Sequence, residues 1–291
     1  VRSRDIRAPN LGDMYQTGVT QRQNVNDPWF DDTRRNIERV SEGNLDLTPE
    51  IADTSSLGVA FRPTWLQGFQ GAVDYYQINI RDAISRLTNQ QMVDRCYDGD
   101  QTLCEYVLRD ATGALSGLIS KPVNIAERKV RGVDIDLSYR VGLASLAPDA
   151  RLDLRLLATR LLESSTRNPF DSYDYTGENT GSSVRWRALT TATYRQGPAR
   201  LGATVRFVGP GVLDNSWING VDIDDNAVPS AWYLGLFGSY AFSDDQYEAF
   251  FRISNVLDKA PVVIANNNNG FNPTLYDVVG RDFSIGLRFK F

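Results

Sequence analysis

The sequence has no histidine, two cysteines and four lysines, Lys121, Lys129, Lys259 and Lys290. Without histidine, Ser-His-Asp and Cys-His catalysis and the usual zinc ligand sets are excluded. No stretch approaches the 18 or more consecutive apolar residues of a membrane helix, which excludes a helical membrane protein. There is no basic run, and the net charge is −5, which argues against nucleic acid as a partner. The chain opens on Val1, with no methionine and no apolar leader, so a fragment or a mature start elsewhere is expected. With 36 acidic residues, candidate carboxylate pairs always exist, yet none is singled out, so no catalytic residue is assigned and no enzyme is expected.

Cys96 and Cys104 bracket a polar, turn-rich stretch. A zinc site needs more ligands nearby, and a redox pair is usually Cys-x-x-Cys. A loop disulfide formed in an oxidising compartment is the favoured reading, with two free thiols as the alternative. Arginine dominates the basic residues, and two readings stay open: an arginine-lined polar lumen, or the codon bias of a GC-rich genome.

What the sequence does have is strict alternation. Phe283, Ile285, Leu287, Phe289 and Phe291 fall on one face of a strand, and Ser284, Gly286, Arg288 and Lys290 on the other. Val133, Ile135, Leu137, Tyr139 and Val141 likewise oppose Asp134, Asp136, Ser138 and Arg140. Each apolar face runs for roughly nine or ten residues, the length of a tilted membrane-crossing strand rather than of a globular one.

Ten strands are predicted, near 1–8, 54–63, 68–83, 125–141, 150–162, 183–196, 199–208, 230–242, 246–256 and 280–291. Short turns near 64–67, 142–149, 196–198 and 243–246 alternate with long polar segments at 9–53, 84–124, 163–182, 209–229 and 257–279. Tight turns at one end and long loops at the other are the signature of an outer-membrane barrel. Trp65, Phe69, Trp186, Tyr194, Trp232, Tyr240, Phe242 and Tyr247 gather near the strand ends, where amphipathic rings suit the headgroup level. The fold class expected is therefore all-β, an antiparallel transmembrane β-barrel.

Six segments, in order, resemble the C-terminal half of TonB-dependent outer-membrane receptors. Arg7-Ala8-Pro9 matches the family's Arg-Ala-Pro after an ascending strand. Residues 43–50, Gly-Asn-Leu-Asp-Leu-Thr-Pro-Glu, resemble its Asn-Pro-x-Leu-x-Pro-Glu element, with Leu45 in place of proline. Residues 73–84 resemble the upward strand that follows. Val130-Arg131-Gly132-Val133-Asp134 is similar to the Arg-Gly-Val-Glu/Asp of a descending strand. Asn255-Val256-Leu257-Asp258-Lys259 is similar to Asn-Leu-Phe-Asp-Lys, and residues 279–283 lead into the last strand.

The resemblance implies about the last ten strands of a 22-stranded barrel over residues 1–291, with a plug domain and the earlier strands before Val1. A small closed ten-stranded barrel is the other arrangement. The loop cysteines also occur in one large subgroup, which often carries further cysteines after Arg-Ala-Pro; Asp27-Pro28-Trp29-Phe30 has none.

The resemblance further implies active uptake of a scarce nutrient, such as a ferric siderophore, vitamin B12 or an oligosaccharide. The implied partners are outer-membrane lipid, the TonB complex acting through the plug, and the barrel-assembly machinery. That machinery would read residues 283–291, with Phe291, as its insertion signal. Loop aromatics and amides, Trp29, Tyr173, Tyr175, Trp217, Asn219 and Asn267, are candidate ligand contacts, with loop packing as the alternative for each. A passive porin and a soluble carbohydrate-binding β-protein are the rival functions. Val221-Asp222-Ile223-Asp224-Asp225-Asn226 spaces oxygen atoms as a calcium loop does. It lacks the glycine and distal glutamate of an EF-hand, so a solvated acidic loop is expected, with no metal and no cofactor.

Overall fold

The computed structural model describes residues 1–181, 183–243, 246–264 and 270–289. Ten long strands build one antiparallel sheet: β1 (Arg2–Arg7), β2 (Glu50–Phe61), β3 (Phe69–Ser85), β4 (Val123–Gly142), β5 (Arg151–Arg167), β6 (Trp186–Gln196), β7 (Ala199–Val208), β8 (Ala231–Phe242), β9 (Tyr247–Ser254) and β10 (Asp282–Phe289). Each pairs with the next in sequence order, and β1 and β10 are not paired to each other, so the sheet is a partial barrel. Among the described residues no helix is long and apolar enough to cross a membrane. Every strand predicted from alternation is present and in order.

Register decides which side chains share a face. One row of partners runs Tyr139, Leu154, Ala192, Ala203, Leu236, Ile253 and Phe283 across β4 to β10. Shifted by one residue, the same strands present Asp136, Arg155, Thr191, Thr204, Arg252 and Ser284. The first face is apolar yet open: Ile285 is 87% exposed and Leu57 is 73% exposed. Such a surface is unfavourable in water and favourable in lipid.

Two aromatic borders bound this apolar face. Phe61, Phe69 and Tyr139 pack at the short-turn end of β2–β4, and Phe242, Tyr247 and Phe289 do so on β8–β10. Trp186 and Trp232 mark the long-loop end, with Phe207 and Trp232 4.2 Å apart. Tyr240 lies eight residues from Trp232 (240 − 232), and Tyr194 eight from Trp186 (194 − 186). Eight residues span roughly 27 Å of strand, or about 21 Å along the membrane normal at a tilt of about 40°, a little less than the ~25 Å apolar band of an outer-membrane barrel. The lower border moves down the register rows from Phe61 on β2 to Phe289 on β10. That drift is the strand tilt a barrel needs.

Several strands run longer than alternation suggested. β2 starts at Glu50 rather than near 54, and β5 continues to Arg167 rather than stopping near 162. The residues added to β5, Glu163–Arg167, are polar on both faces and read as loop in the sequence, while those added to β2 mix Glu50 and Asp53 with Ile51 and Ala52.

Bare glycines let aromatic rings lie flat against the sheet. Gly202 faces Phe237 across the β7–β8 pair, and Gly286 faces Phe250 across β9–β10. A β-carbon at Gly202 would run into the Phe237 ring and come within 2.8 Å of the Ala192 carbonyl oxygen. Gly202→Val is expected to cost about 1–3 kcal/mol by overpacking. A urea titration of the refolded full-length protein, read by heat-modifiable gel mobility, measures this; an unchanged midpoint would contradict it.

Candidate functional site

Four short turns close one end of the sheet, and five long connections crowd the other. These connections, read as polar loops in the sequence, are folded. Val19–Asp27, Thr33–Ser41, Val107–Arg109 and Leu115–Ser120 form a four-stranded sheet, including one parallel pair. The helix Asn89–Tyr97 packs on it around Val25, Ile37, Val93, Cys96, Val107, Leu115 and Leu118. Thr88 caps that helix with a full capping box alongside Gln91. Cys96 and Cys104 are joined by a disulfide that ties the helix to the next helical turn.

The hub of this first loop cluster is Asp27, a residue that sequence reasoning passed over. Its carboxylate is fully buried and accepts hydrogen bonds from the Leu115 N–H (2.9 Å), the Trp29 N–H (3.3 Å) and the Arg109 guanidinium (3.2 Å). Arg35 stands 3.5 Å away. Burial works to raise its pKa. The Leu115 N–H, Arg109 and Trp29 N–H outweigh burial and hold the carboxyl below the usual aspartate range. Arg109 also lies 3.8 Å from the centre of the Trp29 ring, which meets Tyr97 edge-on at 4.7 Å. Trp29 is thus fixed on one side and 42% exposed on the other.

The second loop cluster gathers the connections 168–185, 209–230 and 255–281 around Val184, Leu213, Val228, Ile264, Leu275 and Tyr276. Asn179 donates to the Tyr276 hydroxyl at 2.6 Å, and Asn272 donates to the Asn179 and Thr180 carbonyls. Asn226 accepts from the Leu213 and Asp214 N–H groups and donates to the Asp214 and Trp217 carbonyls. These buried amides replace backbone pairing where the chain is irregular. Arg95 lies over the Phe170 ring at 4.6 Å, where the two clusters meet.

Of the candidate ligand residues, Tyr173, Tyr175, Trp217 and Asn219 lie in the second cluster and Trp29 in the first; Asn267 lies outside the described residues. Tyr173 shares its hydroxyl proton between Glu178 and Asp214, each 2.6 Å away, and its ring meets that of Tyr175 at 4.4 Å with the planes tilted by 49°. Burial, then the Asp214 and Glu178 carboxylates, push its phenol well above the usual tyrosine range, so it stays a donor. Trp217 packs against the apolar core of the cluster. Asn219 accepts from the Asn226 N–H, and Tyr175 is 37% exposed. In the acidic segment, Asp222 accepts from the Ile218 N–H and Asp225 from the Ala227 N–H. Among the described residues no group of three or more acidic or cysteine side chains could hold a metal. Of the residues expected to form an insertion signal, Phe283, Ile285, Leu287 and Phe289 line the apolar outer face of β10, and Phe291 lies outside the described residues.

Below the loops, the inner face of the sheet is a charged wall. Arg140, Arg151, Arg155, Arg187, Arg195, Arg200, Arg206, Arg252 and Arg288 all point to this face by register. Asp136 receives two hydrogen bonds from Arg155, and Asp153 sits between Arg140 (2.7 Å) and Arg195 (3.1 Å). Nine of the 27 arginines thus stand on the inner wall. An upper cavity of about 550 Å³ is lined by Asp74, Asp134, Arg187, Leu189, Arg206 and Thr274. A lower one of about 1200 Å³ is lined by Arg62, Gln70, Ser138, Arg155, Thr191 and Arg200. The Arg206 guanidinium donates to the Leu275 carbonyl at 2.7 Å, linking wall to loop cluster.

A family model described as TonB dependent receptor-like, beta-barrel, matches residues 3–256. Among solved structures, the siderophore receptor PirA from Acinetobacter baumannii aligns over 100% of this chain at 17% identity and a TM-score of 0.64. The ferric enterobactin receptor PfeA from Pseudomonas aeruginosa, solved in complex with enterobactin, aligns over 98% at 15% identity and a TM-score of 0.62. The outer membrane transporter YddB from Escherichia coli aligns over 87% at 12% identity and a TM-score of 0.57. The chain spans 38%, 37% and 34% of those three structures. No curated protein matches it.

Proposed function

Because the chain belongs to the TonB dependent receptor-like β-barrel family of the bacterial outer membrane, we propose that it forms the last ten strands and five external loops of a nutrient-uptake receptor. The observation that carries this reading is the pairing of an apolar outer face with an arginine-rich inner wall roofed by folded loops. A soluble β-protein has no use for Ile285 at 87% exposure amid Phe283 and Leu287.

The open sheet and the coverage of little more than a third of its structural relatives support a larger barrel. Unpaired edges are not viable in lipid, so further strands would close it. In this reading a plug fills the lumen against the charged wall. TonB pulls the plug, and the ligand enters between the two loop clusters. The barrel-assembly machinery inserts the barrel by its last strand. The ligand is a small molecule or oligosaccharide; the likeness to the siderophore receptor PirA and the ferric enterobactin receptor PfeA favours a ferric siderophore. Trp29, Tyr173, Tyr175, Trp217, Asn219 and Asn267 are the proposed contacts, with Tyr175 the most open of the second cluster's aromatics.

The test is accumulation of labelled ferric siderophores, cobalamin and oligosaccharides by cells making the full-length protein, with and without tonB. Uptake of one ligand that vanishes without tonB, while surface binding persists, is expected. Uptake indifferent to tonB would make the protein a passive channel. For the ligand so identified, Tyr175→Ala is expected to weaken binding about tenfold. An unchanged Kd would remove Tyr175 from the site.

A further inference from the structure

The four-stranded loop sheet has two edges, Val107–Arg109 and Val19–Asp27. The first is only three residues long. The second is nine residues long, with no proline, no lysine and no bulge along its pairing with Thr33–Ser41. Short edges, prolines, lysines and bulges are the devices by which proteins stop a strand edge from taking on a further strand. Val19–Asp27 uses none of them.

Register fixes which peptide groups the edge presents. Asn26 turns both its N–H and its carbonyl away from Thr33–Ser41, to the side-chain amide of Gln90, at 2.9 and 3.1 Å. Such groups alternate along an antiparallel strand, so those of Thr20, Arg22 and Asn24 face the same way. All three residues are exposed, and among the described residues no backbone group pairs with theirs. Gln90, which also donates to Asp94 at 2.7 Å, thus acts at Asn26 as one residue of a further strand would. The loop sheet also has a direction. It runs from Val107–Arg109 and Leu115–Ser120, in the β3–β4 connection, to Thr33–Ser41 and Val19–Asp27, in the β1–β2 connection. The barrel sheet runs the same way from β4 to β1, so the open edge lies on the β1 side, where β1 itself has no further neighbour. At the foot of this connection the Asn44 N–H donates to the Asp13 carbonyl, and the apolar side chains nearby, Leu11, Tyr15 and Leu45, are exposed.

We infer that Val19–Asp27 takes on a fifth strand, supplied by the external loop that joins the two barrel strands immediately before β1. The inference rests on the larger barrel proposed above. The chain spans 38% of the PirA structure, and the strands that would cover β1 bring their own loop to this side. An extended segment of that loop exchanges main-chain hydrogen bonds with Thr20, Arg22 and Asn24, as Gln90 does with Asn26. Its apolar side chains cover Leu11, Tyr15 and Leu45. Trp29 follows the strand directly, so its position is then set by both parts of the barrel at once.

The test is residue-resolved hydrogen exchange on the purified full-length protein in detergent. Protection at Thr20, Arg22 and Asn24 within about tenfold of that at Gln21, Gln23 and Val25 is expected. Protection about a hundredfold lower at the first three overturns the proposal, because the edge then faces water. The occupant is identified by joining Arg22→Cys to single cysteines along the preceding external loop with a bismaleimide. Cross-links within one chain, at alternate loop positions, are expected. Cross-links only between chains would make the occupant a second copy, and protected amides without any cross-link would make it another partner; either overturns the proposal. If the cysteine variants do not fold, dilution of the wild-type protein to a monomer decides: protection that persists supports the loop, and protection that is lost overturns it. A full-length chain without strands before β1 would overturn the larger barrel and this inference together. Unprotected amides in a protein that still shows tonB-dependent uptake would overturn this inference alone.

Discussion

Ile285→Arg is expected to destabilise the barrel by about 2–4 kcal/mol, the cost of a guanidinium on the lipid face at the bilayer midplane. Ile285 sits midway between Phe289, at the lower end of β10, and Arg281, just before its start, and is 87% exposed. Its cross-strand partner Phe251 is apolar as well. Neighbouring Ser284 faces inward opposite Arg252, so Ser284→Glu is expected to change stability by less than about 1 kcal/mol. Unfolding of both variants by urea in lipid vesicles measures the contrast. Equal tolerance at the two positions would mean that the outer face of β10 does not meet lipid.

The second large effect lies in the external loops. Asp27→Ala removes the fully buried carboxylate on which Arg109, Arg35 and the Leu115 N–H converge. Removing one partner of a buried ion pair leaves the other charge uncompensated and costs about 3–5 kcal/mol. That exceeds what a small loop sheet of four strands can lose and stay folded. Hydrogen exchange in 19–41 and 107–120 should rise toward that of an unstructured loop, while exchange in β3–β9 stays put. Arg109 also orients Trp29, so the Trp29 ring is freed at the same time.

The pH dependence follows from the direction of the shift. Because the folded-state pKa of Asp27 lies below its unfolded value, its stabilisation is fully present above about pH 4. It is lost as pH falls through the lowered folded value. Protection of 19–41 should therefore be flat from neutral pH down to about pH 4 and fall below that. Protection that falls already between pH 7 and pH 5 would contradict the assignment.

The barrel strands were legible because each has one face in lipid, so alternation is clean over Asp134–Val141 and Phe283–Phe289, although inward Leu189, Phe237 and Phe250 break it on the strands between. The polar extension Glu163–Arg167 of β5 was not, because outside the apolar band both faces meet polar surroundings and the period-2 signal vanishes. The loop cores were illegible for a different reason. Arg109 reaches Asp27 across 82 positions, and Asn179 reaches Tyr276 across 97, so no local spacing announces either contact. The candidate aromatics Trp29, Tyr173, Tyr175 and Trp217 lie in the loop clusters. Three of them, Trp29, Tyr173 and Trp217, also hold the loops together, which their residue types alone do not distinguish from ligand contact.

A sheet with lipid on one face and a polar lumen on the other is expected to show a period of two in its surroundings. Nitroxide side chains placed singly along Ala231–Phe242 of the full-length protein in vesicles test it most directly. Positions 232, 234, 236, 238 and 240 should be accessible to lipid-soluble oxygen and shielded from a water-soluble nickel chelate, with positions 233, 235, 237 and 239 showing low oxygen accessibility. Accessibility to the nickel chelate on both faces, or a profile without a period of two, would contradict the membrane-spanning barrel and the receptor reading built on it.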